Sequence, residues 1–444
     1  MGITFVQKSD LSLPRPNARR ALVLAGGAIS GGAFKVGGLL ALDRYLNNLD
    51  VTDFDIFMGI SAGAFLAAPL SAGFTAEELY RTLHGDSERL TKFRHTHFYW
   101  PNAREFVTHP ARMFRDAALY GPRMTLRLMR MLPQHQRELR QRARHFMDHP
   151  SLDSAEQVVE PFLREFFGRS FGDRGGYLPS GLFDNFRLEE YIRSNLERNG
   201  LPNTFRQHKL QTGKSLYIGA TNLNTAQGVV FGHDEDTSVT ISQAVQASSA
   251  IPGYFKPAFV GQPGREKHYI DAAVRKTANI STAVRHGAQL VVCYNPFRPI
   301  VNYAHKRAGQ THRSISDLGL AAVINQSFRT LLHSRLRIGI QKLLMDDQFR
   351  GDVILIEPAE TDARFFAMNP LAFWRRTEAA EHGYASVKAS LLKYHEPLRR
   401  ILGAYGIEVS RTRLDQGMDE LRSDVSPMSP RRRRPGKPKL RLVS

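Results

Sequence analysis

One cysteine in 444 residues, Cys293, excludes an intramolecular disulfide and a cysteine-built metal site. Its setting, Gln289-Leu-Val-Val-Cys-Tyr294, suits a small buried hydrophobe. Met1 to Arg20 contains no apolar h-region, so no secretory signal is expected. The longest apolar stretch, Met58 to Phe74, is interrupted by Gly59, Gly63, Pro69 and Gly73 and falls short of a membrane span. Acids are scarce: 42 Asp+Glu stand against 61 Lys+Arg, a net charge of +19. That excess favours anionic partners, nucleic acid or phospholipid headgroups, and does not choose between them. Hydrophobic residues at 42% and aromatics at 10% are enough for a real core, which excludes wholesale disorder. The expectation is a cytoplasmic protein.

The first clear element is Arg20-Ala-Leu-Val-Leu-Ala25, an apolar run of buried-strand type that ends in Gly26-Gly27. Ala33 to Leu46 then has helical spacing, anchored by Phe34, Leu39, Leu42 and Leu46. Phe54 to Met58 is a second strand candidate, and a helix reaching about Ser71 follows it. Strand, loop and helix, repeated, open a parallel α/β sheet. From about 85 to 180 the pattern becomes helical and rich in Arg, Met, Phe and His, with breaks at Pro101, Pro110, Pro122 and Pro133. Strand candidates resume at Ser215 to Ala220, Val229 to Gly232, His268 to Ile270, Leu290 to Tyr294 and Val353 to Ile356. A long helical region, Ser316 to Met345, precedes the last of them. From Ser426 the chain is rich in Pro, Ser and Arg and is expected to be unfolded.

Gly59-Ile60-Ser61-Ala62-Gly63 fits G-x-S-x-G, the nucleophile elbow. A sharp strand-to-helix turn exposes the serine hydroxyl, and the flanking glycines let strand and helix backbones pass closely. Ser61 would stand at a helix N-terminus, where free N–H groups favour developing negative charge. The plain alternative is a turn used only for packing. Upstream, Gly26-Gly27-Ala28-Ile29-Ser30-Gly31-Gly32 follows a strand and opens a helix, so its backbone N–H groups can face an anion. The loop is neither G-x-G-x-x-G nor a Walker A loop, which weakens a nucleotide-phosphate reading. An oxyanion hole at Gly26, Gly27 and Ala28 serving Ser61 explains both motifs with one site.

A serine nucleophile needs a base. The later histidines (His286, His305, His312, His333, His382 and His395) have no distinctive setting, and each reads as a surface or capping residue. The better candidate is Asp271 in His268-Tyr-Ile-Asp-Ala-Ala273, at a strand end with small residues beside it. A carboxylate with an ordinary pKa of ~4 is a weak base, and desolvation in a closed site would raise that pKa towards a useful range.

The strand with its Gly-rich loop, the G-x-S-x-G turn, the stretch Ala247-Ser-Ser-Ala-Ile-Pro-Gly-Tyr-Phe-Lys-Pro257 and the strand-end Asp271 together resemble patatin-like phospholipases over about residues 20 to 296. The resemblance implies a three-layer α/β fold with a mostly parallel sheet flanked by helices. It also implies that Ser61 and Asp271 form a Ser–Asp dyad and that the amides of Gly26, Gly27 and Ala28 form the oxyanion hole. The implied activity is hydrolysis of an acyl ester of a phospholipid or lysophospholipid, with no metal and no cofactor. Three departures stand out: Ala28 replaces the third glycine of the family loop, Ser30 its basic residue, and Ala272 the glycine after the aspartate. An alanine held at φ > 0 costs about 1 kcal/mol or more.

On this reading the chain has an N-terminal extension (1–19), a patatin-like domain (20–296) with a helical insertion (about 85–180), a C-terminal helical extension with a further strand (297–407) and a basic tail (408–444). Within the insertion, Arg123, Arg127 and Arg130 share one helical stripe, apart from Met124, Leu128, Met131 and Leu132. Such a surface suits a lipid interface, and equally a buried helix whose arginines reach to solvent. The tail holds Arg431 to Arg434, Lys437, Lys439 and Arg441 in its last twenty residues, suited to peripheral contact with an anionic membrane. Two rivals remain: a catalytically weak relative that binds lipid, and a basic nucleic-acid-binding protein. The second lacks any recognisable nucleic-acid module, so no nucleic-acid partner is expected.

Overall fold

The computed structural model describes residues 2–108, 141, 144, 179–303 and 314–415. The Arg123–Arg127–Arg130 stripe, most of the expected insertion, His305, His312 and the basic tail beyond residue 415 lie outside the described residues. The architecture is mixed α/β, with a central sheet that is parallel through its middle strands and flanked by helices.

The chain begins with β1 (Ile3–Gln7), β2 (Arg20–Leu24), α1 (Ala28–Tyr45), β3 (Ile56–Gly59), α2 (Ala62–Ser71) and α3 (Ala76–His84). There follow β4 (Gly181–Phe183), α4 (Phe186–Arg198), α5 (Phe205–Thr212), β5 (Ser215–Asn222), β6 (Gly228–Phe231) and α6 (Ile241–Ser248). Next come β7 (Gly253–Phe255), β8 (Ala258–Val260), β9 (Lys267–Asp271), α7 (Ile280–Arg285), β10 (Leu290–Tyr294) and α8 (Leu320–Met345). The last elements are β11 (Asp352–Ile356), α9 (Ala363–Ala367), α10 (Arg376–Lys393) and α11 (His395–Ala404).

The chain divides into two compact units. The first comprises Met1–Phe57, Pro69–Lys92 and Ile280–Ser444. In it β10 runs parallel to both β2 and β11, Tyr294 standing opposite Leu24 and Ile356. β1 adds antiparallel to β11, with Ile3 opposite Ile356. Ala21 to Leu24 and Leu290 to Tyr294 are buried without alternation, as befits strands covered on both faces. Helix α1 is likewise buried nearly all round and crosses α10 at glycines. A Cβ on Gly37 would collide with the Ala380 carbonyl, and one on Gly383 with the Phe34 carbonyl.

The second unit comprises Met58–Ala68 and Phe93–Asn279. Its wholly buried β5 pairs antiparallel with β6 and with β9, and β8 pairs with β9. β4 and β7 form a separate parallel pair.

Two details differ from the sequence reading. The Gly-rich loop is short: α1 begins at Ala28, five residues before the expected start, because the chain turns at once through Gly27 (φ +148°) and Ala28 (φ +51°). The Gly31 amide then donates to the Gly27 carbonyl at 2.9 Å, so Ser30, Gly31 and Gly32 belong to the first turns of the helix. The short strands β1, β4, β7 and β8 have no clear signature in the sequence.

Candidate active site

Ser61 sits between the end of β3 and the start of α2, with φ at +55°. For a residue with a Cβ this left-handed conformation costs about 1–2 kcal/mol, and it is the strain a nucleophile elbow imposes. The turn is held locally: the Ala64 amide donates to the Ser61 carbonyl at 2.8 Å and the Gly63 amide to the Ile60 carbonyl at 2.7 Å. Gly59 is obligatory for the same turn, since a Cβ there would lie 2.5 Å from Ala64 Cα and 2.7 Å from its nitrogen. Ser61 is 3% exposed.

Asp271 ends β9, opposite Ala220 of β5, and is 4% exposed. Its Oδ1 accepts the Ala273 amide at 2.8 Å, so the carboxylate caps the 3-10 turn Ala272–Val274 and is fixed in rotation. Ala272, where the resemblance leads one to expect glycine, is accommodated in this turn as a buried residue.

One short segment ties the two residues together. Thr240 and Gln243 form a capping box that starts α6, and Pro252 follows soon after its end. At the end of the helix the Ser248 hydroxyl oxygen accepts the Ser61 amide at 2.8 Å. Two residues on, the Ala250 carbonyl accepts the Asp271 amide at 2.9 Å. A second marker of proximity is Gly219 of β5. A Cβ placed there would lie 3.5 Å from the Ile60 side chain and 3.4 Å from that of Ala272. The neighbours of Ser61 and of Asp271 therefore meet over one point of the sheet. An aromatic group adjoins α2: Phe65 stacks on Tyr191 at 5.8 Å, and Phe93 meets both rings at 5.0 Å.

The Gly26–Ala28 loop belongs to the first unit. Ala28 holds the positive φ expected of a glycine. Gly27 has no room for a side chain, since a Cβ would come within 2.8 Å of Pro296. The Pro370 carbonyl accepts the Ser30 amide at 3.0 Å, and Arg329 donates to the Pro296 carbonyl at 3.0 Å, so segments beyond residue 290 brace the loop. Burial lowers the Arg329 pKa to about 10.

Lys35 of α1 is fully buried, and its ammonium donates to the carbonyls of Ala25 at 2.5 Å and Gly26 at 2.7 Å. Motif reasoning does not single it out, although a lone lysine in the apolar run Gly32 to Leu42 is a visible anomaly. Ser248 lies within the Ala247–Pro257 stretch, where the sequence alone gives it no role.

Among the described later histidines, three hold side-chain partners elsewhere: His333 with Glu357 at 3.4 Å, His382 with Asp362 at 2.8 Å and His395 with Tyr45 at 2.9 Å. Burial raises the Cys293 pKa, which keeps its thiol neutral. No group of metal-binding side chains occurs among the described residues.

The patatin family, described as patatin-like phospholipase, matches residues 22–284. No curated protein matches the chain. Among solved structures, VipD from Legionella pneumophila is 13% identical at a TM-score of 0.32, over 95% of this chain and 84% of its own. Human GIVD cytosolic phospholipase A2, in complex with methyl gamma-linolenyl fluorophosphonate, is 14% identical at a TM-score of 0.32, over 89% of this chain and 61% of its own. ExoU of the Pseudomonas aeruginosa type III secretion system, in complex with SpcU, is 16% identical at 0.26, over 90% and 63%.

Proposed function

Because the chain belongs to the patatin-like phospholipase family, we propose that it is a lipid acyl-ester hydrolase with Ser61 as nucleophile and Asp271 as proton acceptor. The observation that carries this reading is the strained Ser61 elbow, joined to Asp271 through Ser248 and Ala250. Ser61 Oγ attacks the ester carbonyl while its proton passes to the Asp271 carboxylate. As the tetrahedral intermediate collapses, the leaving alcohol takes that proton and an acyl-serine remains. Water then attacks the acyl-serine, gives its proton to Asp271, and releases the fatty acid as the Ser61 hydroxyl is restored.

The oxyanion loop enters through the family resemblance. In this reading Lys35 supports it from behind. The carbonyls it binds belong to the peptide groups whose N–H bonds are those of Gly26 and Gly27. A buried cation on a carbonyl oxygen polarises its whole peptide group and strengthens the N–H as a donor. The aromatic group at Phe65 offers an apolar neighbourhood suited to an acyl chain. The weak-enzyme alternative is favoured by one feature, the strained Ala28.

A fluorophosphonate probe tests the assignment. The wild type should be labelled, Ser61→Ala should not, and Asp271→Asn should label roughly 10²–10⁴-fold more slowly. A folded wild type that stays unlabelled would move the reading to lipid binding without turnover. Loss of labelling on changing a single histidine would return the site to a triad.

A further inference from the structure

We propose that α8 is a membrane-surface helix, laying an exposed apolar stripe into an anionic lipid surface. The proposal deepens the lipid reading of the site and rests on it only for the class of partner. The inner face of α8 is already satisfied by the buried residues Arg329, Leu332, Leu336 and Ile340. On the other side Leu320, Ile324, Phe328, Leu331, Ile338 and Met345 are exposed, Leu320 by 74% and Phe328 by 61%. Their spacing of three, four or seven residues puts them on one helical face. An outward apolar row of that length is not surface noise.

Charge chooses the occupant. Apart from the buried Arg329, the helix carries Arg335, Arg337 and Lys342 and no acid, and Arg335 and Lys342 fall within the stripe by position. Pairing with a second copy would bring like charges together with no counter-charge on either helix. A lipid surface with anionic headgroups accepts both features, the apolar side chains entering the acyl boundary while the cations stay among the phosphates. No helix among the described residues is long and apolar enough to cross a membrane. Helix α8 therefore lies along the surface.

The test uses the full-length protein and vesicles of phosphatidylcholine with phosphatidylserine, at one moderate salt concentration, so that the basic tail contributes equally to wild type and variant. Ile324→Gln/Phe328→Gln/Leu331→Gln, all at exposed positions, should bind phosphatidylserine vesicles ~10-fold or more weakly than wild type. It should retain the far-UV circular dichroism of the wild type and its rate on a soluble short-chain ester. Phe328→Trp in an otherwise intact chain should show a blue shift of emission on adding these vesicles. Equal vesicle binding by the triple variant, or an emission of Phe328→Trp that vesicles leave unshifted, would overturn the proposal. So would a wild-type dimer that the same substitutions abolish. The two readings fail separately: a wild type inert towards soluble esters sinks the hydrolase, and an active one that binds vesicles without α8 sinks the membrane helix.

Discussion

Ala28 and Ser61 hold φ at +51° and +55°, and the two strains have different consequences. At Ser61 the conformation is the elbow itself. At Ala28 it is a penalty that glycine would remove, so Ala28→Gly should raise stability by about 1 kcal/mol. It should also raise kcat a few-fold on a soluble ester if the relaxed amide aims better at the oxyanion, leaving KM nearly unchanged. Lys35→Met should act in the opposite sense, lowering kcat by ~10-fold with little change in KM, and Lys35→Gln, which can still donate, should lose less. Equal losses in the two Lys35 variants would reduce the lysine to a packing role. The Ser61 turn and the strand-end position of Asp271 were legible because motif spacing and strand ends are set over a few residues. Lys35 was not, since a lysine in an apolar helix ordinarily reaches solvent by its stem, and only the fold shows that this one turns inward.

At the level of elements, the crossing of α1 and α10 depends on two backbones approaching at Gly37 and Gly383. Gly383→Ala should destabilise the protein by roughly 3 kcal/mol, read as a lower denaturant midpoint at unchanged m. Gly403 in α11 is the control: a Cβ there meets nothing within 4 Å. Gly403→Ala should be neutral or stabilising by up to ~1 kcal/mol. The opening β2–α1–β3–α2 was readable because each apolar run ends in its own glycine turn. β1 was not, because it becomes a strand only by pairing with β11, Ile3 with Ile356, across almost the whole chain.

Over the whole molecule, the half-buried Asp43 and the buried His208 give stability opposite slopes with pH. Burial raises the Asp43 pKa from 3.8 to about 6, so the folded state holds a proton that the unfolded state releases. Its contribution is present below pH ~4 and lost as pH rises through about 6. Asp43→Asn keeps an acceptor for the Val51 amide, now at 2.7 Å from Asp43, and should stabilise the protein above pH 6 by up to ~3 kcal/mol. The gain should vanish at acid pH. Burial lowers the His208 pKa from 6.5 to about 4, and both ring nitrogens lack a hydrogen-bond partner among the described residues. Its contribution is present above pH 6.5 and lost as pH falls towards 4. His208→Leu should therefore gain on the wild type progressively over that window. Unfolding free energies of each variant, taken as differences from wild type across pH, check both signs.

The sequence by itself determined the β–α opening, the strained Ser61 turn and the strand-end Asp271, because glycine placement, apolar runs and motif spacing act within a few residues of one another. Tertiary structure alone decided that Ser248 and Ala250 bind the amides of Ser61 and Asp271, that Lys35 lies under the Gly26 peptide, that Pro296 and Pro370 brace the Gly26–Ala28 loop, and that one face of α8 remains outside the core. Each of those outcomes depends on which surfaces become buried together, in most cases between residues far apart along the chain. Local preference does not encode that choice, which falls to the burial of complementary apolar faces and the satisfaction of the polar groups trapped between them.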